Sequence, residues 1–166
     1  MDDSLAQLKT LHPKLRDIAL TAYQEAVKAT PEGVHPVITQ GLRTFKESED
    51  IYALGRTVVN PDGKSAAKPM GNIVSKAKAG QSYHNYGLAV DFVLIVNGKQ
   101  MWNQNDPNWM IVVNTFKKYG FNWGGDFAGT FKDYPHLEQK FGHTWQDLLV
   151  SYNAKKFIPG TTYVEI

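Results

Sequence analysis

The chain contains no cysteine. Disulfide bonds, thiolate zinc sites and cysteine nucleophiles are therefore excluded, and any bound metal must be held by histidine and carboxylate side chains. No apolar run approaches the ~20 residues that a membrane span needs, so we expect no membrane insertion. The N-terminal stretch MDDSLAQLKTLH lacks the basic and apolar regions of a secretory signal. We therefore expect synthesis in the cytoplasm without a signal peptide.

An excess of charge of one sign is also missing. The chain has 18 basic and 16 acidic residues, a formal net charge of +2. This balance gives no general argument for nucleic-acid binding, and we expect none. The length of 166 residues and the lack of internal repeats predict a single domain over residues 1–166, which we expect to be monomeric.

The spacing of apolar residues indicates helices interleaved with short strands. One helix is predicted over the first 30 residues, with Pro13 in its first turn. Further helices are predicted at 44–54, after a capping box at Thr44, at 106–120 and at 144–153. Strands are predicted at 36–42, 88–95, 121–123 and 134–138. The pattern predicts an α+β fold with a small, mainly antiparallel sheet flanked by helices.

Residues 57–82 show no regular period. A segment of this length without helix or strand is uncommon in a compact domain and is often functional. One interpretation is a solvated, mobile loop, and the other is a basic flap over an anionic substrate. The second rests on one acid, Asp62, against four lysines: Lys64, Lys68, Lys76 and Lys78.

Asp91 lies inside an apolar strand, LAVDFVL. An ionised carboxylate in such surroundings is costly unless a positive charge neutralises it. His84 precedes it by seven residues, which on a continuous strand would place the two side chains on opposite faces. A turn at 85–87 can return His84 to the face of Asp91. A divalent cation between them would explain the carboxylate, and zinc suits mixed nitrogen and oxygen ligands.

A third ligand is needed, and His136 is the best candidate. It lies in FKDYPHLE, at the entry to a predicted strand, with an acid three residues upstream. The remaining histidines lie beside proline or glycine at turns and helix starts. Surface or capping positions are expected for them: His12, His35 and His143.

The stretch SYHNYGLAVD resembles the Ser-x-His-x-x-Gly-x-Ala-x-Asp motif of the LAS zinc peptidases, peptidase family M15. That family includes D-Ala-D-Ala carboxypeptidases and dipeptidases as well as L-alanyl-D-glutamate peptidases. The stretches DYPH, TQGLRTFKESEDIYALGRT and WGGDF resemble the L-alanyl-D-glutamate branch, to which phage endolysins and some bacterial autolysins belong. The resemblance runs from about Val37 to Glu138 and implies a fold of the LAS and Hedgehog type.

This resemblance implies a catalytic Zn²⁺ site. His84, Asp91 and His136 would hold the metal and leave a fourth position for water. Asp133 would take the proton of that water and pass it to the leaving amine. Since aspartate is shorter than the glutamate of the dipeptidase branch, we expect the backbone near Pro135 to bring it closer, for example through a bulge.

The resemblance also implies roles for residues around the metal. Arg43 would stabilise the oxyanion or bind a substrate carboxylate, with a structural ion pair as the alternative. Ser82 would bind substrate, position His84 or cap a turn. Trp123 would form a wall of the cleft or belong to the core. Two other acids are rivals of Asp133 for the role of base: Asp126 and Glu138.

The implied function is hydrolysis of the L-Ala–D-Glu bond in the stem peptide of peptidoglycan, by a catalytic domain without a separate cell-wall-binding domain. One alternative is a D-Ala-D-Ala carboxypeptidase or dipeptidase with the same zinc centre. Another is a non-catalytic binding module that zinc stabilises. Access to the wall would follow release through a membrane hole, as for a phage lysin, or another route in a bacterium.

Overall fold

The structure, a computed structural model, describes residues 3–166. Five α-helices and five strands follow one another in this part of the chain. Their order is α1 Ser4–Lys9, α2 Pro13–Ala29, β1 Val34–Gln40, α3 Phe45–Ala53, β2 Ala89–Val96, β3 Lys99–Met101, α4 Pro107–Lys118, β4 Asn122–Trp123, β5 His136–Glu138 and α5 Trp145–Asn153. Two 3₁₀ helices, Tyr83–Tyr86 and Gly124–Asp126, precede β2 and follow β4.

The strands form one open sheet in the order β1-β2-β5-β4, with β3 paired to the far end of β2. Every pairing is antiparallel, which confirms the predicted α+β class. β2 is the central strand, and its first half pairs with β5 so that Asp91 lies directly opposite His136. The register of the sheet therefore brings together two residues that are far apart in the sequence.

The alternation of β2 separates the core from the site. Phe92 is fully buried and packs on Trp109 of α4, with ring centroids 4.4 Å apart. The helices α2 and α4 pack against each other, and α2 also contacts β1. Because successive strand residues point to opposite faces, Asp91 projects away from this packed core. The core thus fixes the strand from behind and leaves its other face for polar groups.

The predicted start of α3 is confirmed in detail. The Thr44 hydroxyl accepts a hydrogen bond from the backbone N–H of Glu47 at 3.1 Å, and the Glu47 carboxylate accepts one from the backbone N–H of Thr44 at 2.7 Å. This reciprocal capping box fixes where the helix begins. Arg43 is consequently held at the turn between β1 and α3.

Two elements differ from the sequence-based expectation. The N-terminal region forms two helices instead of one, because His12 precedes Pro13 and a residue before proline disfavours the helical conformation. β3 was not predicted. It forms a hairpin with β2 through Asn97 and Gly98, whose φ angles of 51° and 78° suit the tight two-residue turn that favours Asn-Gly.

Residues 57–82 form neither helix nor strand, as predicted. The segment is nevertheless tied together by its own backbone. The N–H of Asn60 donates to the carbonyl of Met70 at 2.9 Å, and the N–H of Asn72 donates to the carbonyl of Asp62 at 2.8 Å. Across the described residues, no helix has the length and apolar character needed to cross a membrane.

Candidate metal centre and cleft

The 3₁₀ helix Tyr83–Tyr86 and Gly87 return His84 to the face of Asp91. Gly87 adopts φ +68°, a left-handed conformation that glycine takes without strain. A Cβ atom at this position would lie 2.6 Å from the backbone nitrogen of His12, so only glycine fits. Ser82 caps the 3₁₀ helix, since its hydroxyl accepts a hydrogen bond from the backbone N–H of His84 at 3.3 Å.

Three candidate ligand atoms converge from three elements. The Nε2 atom of His84 lies 3.1 Å from Oδ1 of Asp91 and 3.2 Å from Nδ1 of His136. The distance from Nδ1 of His136 to the same Asp91 oxygen is 3.2 Å. His84 and His136 are 2% and 6% exposed. The three predicted ligands are thus brought to one point at the floor of a cleft, where they can hold a metal ion.

Each imidazole has an inner nitrogen, which faces Asp91, and an outer nitrogen, which points away from it. The hydrogen bond made by the outer nitrogen determines whether the inner nitrogen carries a proton or a lone pair. Nδ1 of His84 donates to the carbonyl of Gly41 at 2.8 Å, and Nε2 of His136 donates to Oε2 of Glu138 at 2.8 Å. These bonds assign the ring protons to the outer nitrogens and leave lone pairs on the inner ones. Two lone pairs and a carboxylate oxygen at such distances repel one another unless a cation lies between them. The donor set therefore fits a metal ion, and its chemistry suits zinc.

The pKa shifts of the same groups indicate that this cluster favours the presence of a positive charge. Burial alone would raise the pKa of Asp91, but the adjacent His84 and His136 outweigh it and hold that pKa well below its usual range. Burial would lower the pKa of His136, but the adjacent carboxylates of Asp91 and Glu138 raise it to about 9. The cluster thus favours a cation, either a proton or a metal.

The carbonyl that orients His84 is itself supported by α1. The N–H of Gly41 donates to the side-chain carbonyl of Gln7 at 2.9 Å, and the N–H of Leu42 donates to the hydroxyl of Thr10 at 2.9 Å. A Cβ at Gly41 would lie 2.4 Å from the backbone oxygen of Gln7. The N-terminal helix therefore fixes the hydrogen-bond partner of a candidate metal ligand.

Glu138 is hydrogen-bonded to His136 through its carboxylate. It is 4% exposed, and its second oxygen pairs with Nζ of Lys140 at 3.1 Å. Burial would raise the pKa of Glu138, but His136 and Lys140 outweigh it and lower that pKa. Asp126, the other rival base, is exposed and pairs with Lys117 at 2.5 Å. Neither carboxylate is free to act on a water molecule above the ligands.

Asp133 lines the same cleft and begins the turn that leads into β5. Its carbonyl accepts a hydrogen bond from the N–H of His136 at 3.2 Å, and the carbonyl of Pro135 accepts one from Phe92 at 3.1 Å. A turn, and not the expected bulge, therefore positions this carboxylate. Burial raises the pKa of Asp133 and the charge of Asp91 adds to this, against opposite effects from nearby cationic groups. A raised pKa suits a group that accepts and returns a proton.

Arg43 reaches the centre from the β1–α3 turn. Its Nη2 atom lies 3.6 Å from Oδ2 of Asp91, and its backbone N–H donates to the carbonyl of His84 at 3.0 Å. The Nε atom is buried without a hydrogen-bond partner among the described residues. A buried donor without an acceptor is rare and costly. Because Arg43 also lines the cleft, its guanidinium can donate hydrogen bonds there to an oxyanion or a substrate carboxylate.

A cleft of about 820 Å³ opens above these groups. Its polar lining residues include Arg43, Arg56, Lys76, Ser82, His84, Asp91, Asp133, His136, Glu138 and Lys140. Trp123 is not brought into this cleft. It lines a separate cavity of about 370 Å³, packs against Tyr134 and donates from its indole N–H to the Tyr134 carbonyl at 2.7 Å. Its predicted role as a cleft wall is therefore not supported by its position.

Sequence reasoning missed three contributors to the site. Gly41 contributes a backbone carbonyl, for which side-chain motifs carry no signal. Lys140 and Arg56 are single basic residues without a recognisable spacing. For Glu138 a signal existed, because strand alternation places it on the face of His136.

Comparison with known proteins agrees with this geometry. A family model described as Peptidase M15_4, D-alanyl-D-alanine carboxypeptidase, matches residues 75–139. The peptidoglycan L-alanyl-D-glutamate endopeptidase CwlK of Bacillus subtilis strain 168 is 44% identical over 138 residues, 77% of this chain and 72% of that protein. The L-alanyl-D-glutamate peptidase of Listeria phage A118 is 34% identical over 100 residues, 58% of this chain and 34% of that protein.

A solved structure has the same fold. The Serratia marcescens L-Ala D-Glu endopeptidase ChiX superimposes with a TM-score of 0.56 at 20% sequence identity, over 83% of this chain and 86% of that one. This likeness shows the fold, and the three converging side chains form a group that could hold a metal ion. The identity to CwlK over most of both sequences is decisive: the chain belongs to the M15 peptidase family, which confirms the resemblance seen in its motifs.

Proposed function

We propose that this chain is a zinc-dependent endopeptidase that hydrolyses the L-Ala–D-Glu bond in the stem peptide of peptidoglycan. The observation that carries the proposal is the convergence of three ligand atoms, from His84, Asp91 and His136, whose two imidazoles are both held with their lone pairs inward. The L-alanyl-D-glutamate specificity rests on the 44% identical relative that carries this activity in its name.

The proposed mechanism assigns a task to each residue around the cleft. His84, Asp91 and His136 would hold a zinc ion, which would act as a Lewis acid on the substrate carbonyl. Asp133 accepts a proton from the attacking water and returns it to the nitrogen of the leaving D-Glu residue. Arg43 donates hydrogen bonds to the oxygen that becomes negatively charged as the carbonyl is attacked.

The supporting residues act on the ligands and not on the substrate. Glu138 and the carbonyl of Gly41 hold the two imidazoles in the tautomer that presents a lone pair to the metal. Ser82 positions His84 through the cap of its 3₁₀ helix. We further propose that the domain acts as a monomer at the cell wall, which it reaches through a membrane hole, as a phage lysin does, or by another bacterial route.

A digest of purified muropeptides by the zinc-loaded protein tests the proposed reaction. We expect mass spectrometry to show stem peptides with a new N-terminal D-Glu, and L-Ala as the new carboxyl terminus on the muramyl side. Release of terminal D-Ala alone would contradict the proposal and indicate a carboxypeptidase. Binding of peptidoglycan without any cleavage would indicate a binding module.

A further inference from the structure

Two basic side chains of the cleft have no carboxylate partner. Arg56 and Lys76 both line it. Arg56 lies in the turn that follows α3, and Lys76 lies within residues 57–82. Among the described residues, no carboxylate oxygen lies within 4.0 Å of either side chain. The other two basic residues of the cleft are paired, Arg43 with Asp91 and Lys140 with Glu138.

Arg56 is held in place without losing its charge. Its Nη1 atom donates to the carbonyl of Tyr52 at 2.6 Å, and its guanidinium carbon lies 3.8 Å from the centroid of the Tyr52 ring. Its Nε and Nη2 atoms make no hydrogen bond within the described chain, and neither is buried. A guanidinium fixed in this way loses little further conformational entropy when it binds an anion.

Lys76 lines the same cleft. It is exposed, and its Nζ atom lies 5.0 Å from the centroid of the Phe131 ring on the facing loop. This contact draws the ammonium group toward the cleft without neutralising it. The lining of the cleft therefore carries a second positive charge, which is exposed to solvent.

Two of the three acids of the cleft are already paired. Asp91 and Glu138 contact the imidazoles of the candidate ligands, whereas Asp133 lines the cleft as the proposed base. Apart from Asp133, the charged side chains of the cleft without an ion pair within residues 3–166 are Arg56 and Lys76, and both are positive. Two unpaired positive charges favour an anionic group on the ligand.

We propose that Arg56, assisted by Lys76, binds the free carboxylate of the glutamyl residue on the leaving side of the scissile bond. This inference rests on the proposed function. A glutamyl residue has two carboxyl groups, and continuation of the peptide uses only one. The other is ionised at neutral pH, and a guanidinium with two free donors can bind it in a bidentate manner.

Two synthetic peptides that differ in one group test this proposal. Both contain the L-Ala–D-Glu bond, and in one of them the free glutamyl carboxylate is converted to an amide. For the wild type we expect kcat/KM to be about tenfold to a hundredfold lower on the amide. For Arg56→Gln we expect a similar loss on the acid peptide, mainly through KM, and little further loss on the amide.

Matched variants separate this role from general charge or folding effects. Arg56→Lys retains a positive charge without the planar fork, so it should recover part of the loss. Lys64→Gln removes a charge from the same segment, at an exposed residue that does not line the cleft, and should leave both peptides unaffected. Lys76→Gln should lower kcat/KM on the acid peptide by only about twofold to fivefold, because an exposed charge is well screened.

Two different results would count against two different claims. If wild type and Arg56→Gln lose the same factor on amidation, Arg56 does not bind that carboxylate, even though the bond is cleaved. If the wild type cleaves neither peptide between L-Ala and D-Glu, the proposed function fails and this inference fails with it. The wild-type comparison of the two peptides needs no variant, so a misfolded Arg56→Gln protein would not prevent the test.

Discussion

The two walls of the cleft are built differently. The inner wall, residues 83–91 and 136–138, is held by strand pairing and by buried hydrogen bonds to both candidate histidine ligands. The outer wall, residues 56–81 and 127–131, contains no strand, and several of its apolar side chains are exposed, for example 56% for Ile73 and 47% for Phe131. In the proposed mechanism, the strand-paired wall positions the candidate metal ligands, whereas the exposed wall is available to contact the substrate.

The largest effect is expected from removal of a ligand on the inner wall. His136→Ala takes away one of three candidate ligand atoms and leaves Glu138 buried without its N–H partner. We expect loss of bound zinc after dialysis, measured by elemental analysis, together with loss of hydrolysis. Phe131→Ala on the outer wall is the control and should keep its zinc. Full zinc content in His136→Ala would show that His136 is not needed to bind the metal and would contradict the role given to the inner wall.

The next effect separates metal binding from proton transfer. Asp133→Asn should lower kcat by about 10²–10⁴-fold, the usual contribution of a general base, while zinc content stays unchanged. Asp126→Asn changes an exposed acid that pairs with Lys117 and should have little effect on either quantity. If Asp133→Asn retains most of its activity, the base must be sought elsewhere in the cleft.

A smaller effect is expected from the support behind a ligand. Glu138→Gln keeps the shape and one acceptor oxygen but removes the charge that orients His136. Zinc affinity, measured by competition with a chelator, should fall by about 10–100-fold. In the metal-free protein, ¹⁵N shifts of the imidazole should show a larger share of the other tautomer. Unchanged affinity and shifts would mean that strand geometry alone orients the ring.

The smallest effect concerns the packing behind the inner wall. His12 is 1% exposed, its Nε2 donates to the carbonyl of Val164 at 2.8 Å, and its backbone N–H donates to the carbonyl of Gly87 at 2.9 Å. Burial lowers the pKa of His12 from 6.5, and the nearby charges of Lys14 and Arg16 add to this, against the opposing bond to Val164. The imidazole is therefore neutral in the folded protein over a pH range in which the unfolded chain is protonated.

The sign of the pH dependence follows from this lowered pKa. The contribution of His12 to stability is complete above pH 6.5 and is lost as the pH falls below that value toward the folded-state pKa. The loss can reach at most about 1.4 kcal/mol per pH unit. Denaturant unfolding of the zinc-loaded wild type and of His12→Asn, measured at several pH values, isolates this term as the difference between the two. Parallel curves would show that His12 does not titrate on unfolding.

The sequence predicted those features that depend on local chemistry. The capping box at Thr44 and the return of the chain before Asp91 each rest on residues within a few positions of one another. The sequence also carries a signal for β3, because Asn97-Gly98 directly after an apolar strand is typical of a two-residue hairpin, although β3 is not among the predicted strands. The exposed position that was one of two expectations for His12 was wrong, whereas its capping role is confirmed by the hydrogen bond from Lys14 at 3.1 Å.

Features that depend on distant contacts were not predictable in the same way. The motif resemblance suggested His136 as the partner of Asp91, but only the sheet register shows the two in opposite positions. The hydrogen bond from His84 to Gly41 involves a backbone carbonyl, which every residue type provides. The position of Trp123 depends on how the loop before β5 folds, and sequence spacing does not determine this.

The support of Gly41 by α1 has a practical consequence for shortened versions of the enzyme. Gln7 and Thr10 hold the loop whose carbonyl orients His84, although they precede that ligand by more than seventy positions in the numbering. Deletion of the first ten residues would leave every proposed ligand and the proposed base in place. A domain trimmed to its motif region should nevertheless bind the metal with lower affinity, because the hydrogen bonds that position the His84 imidazole begin in the first helix.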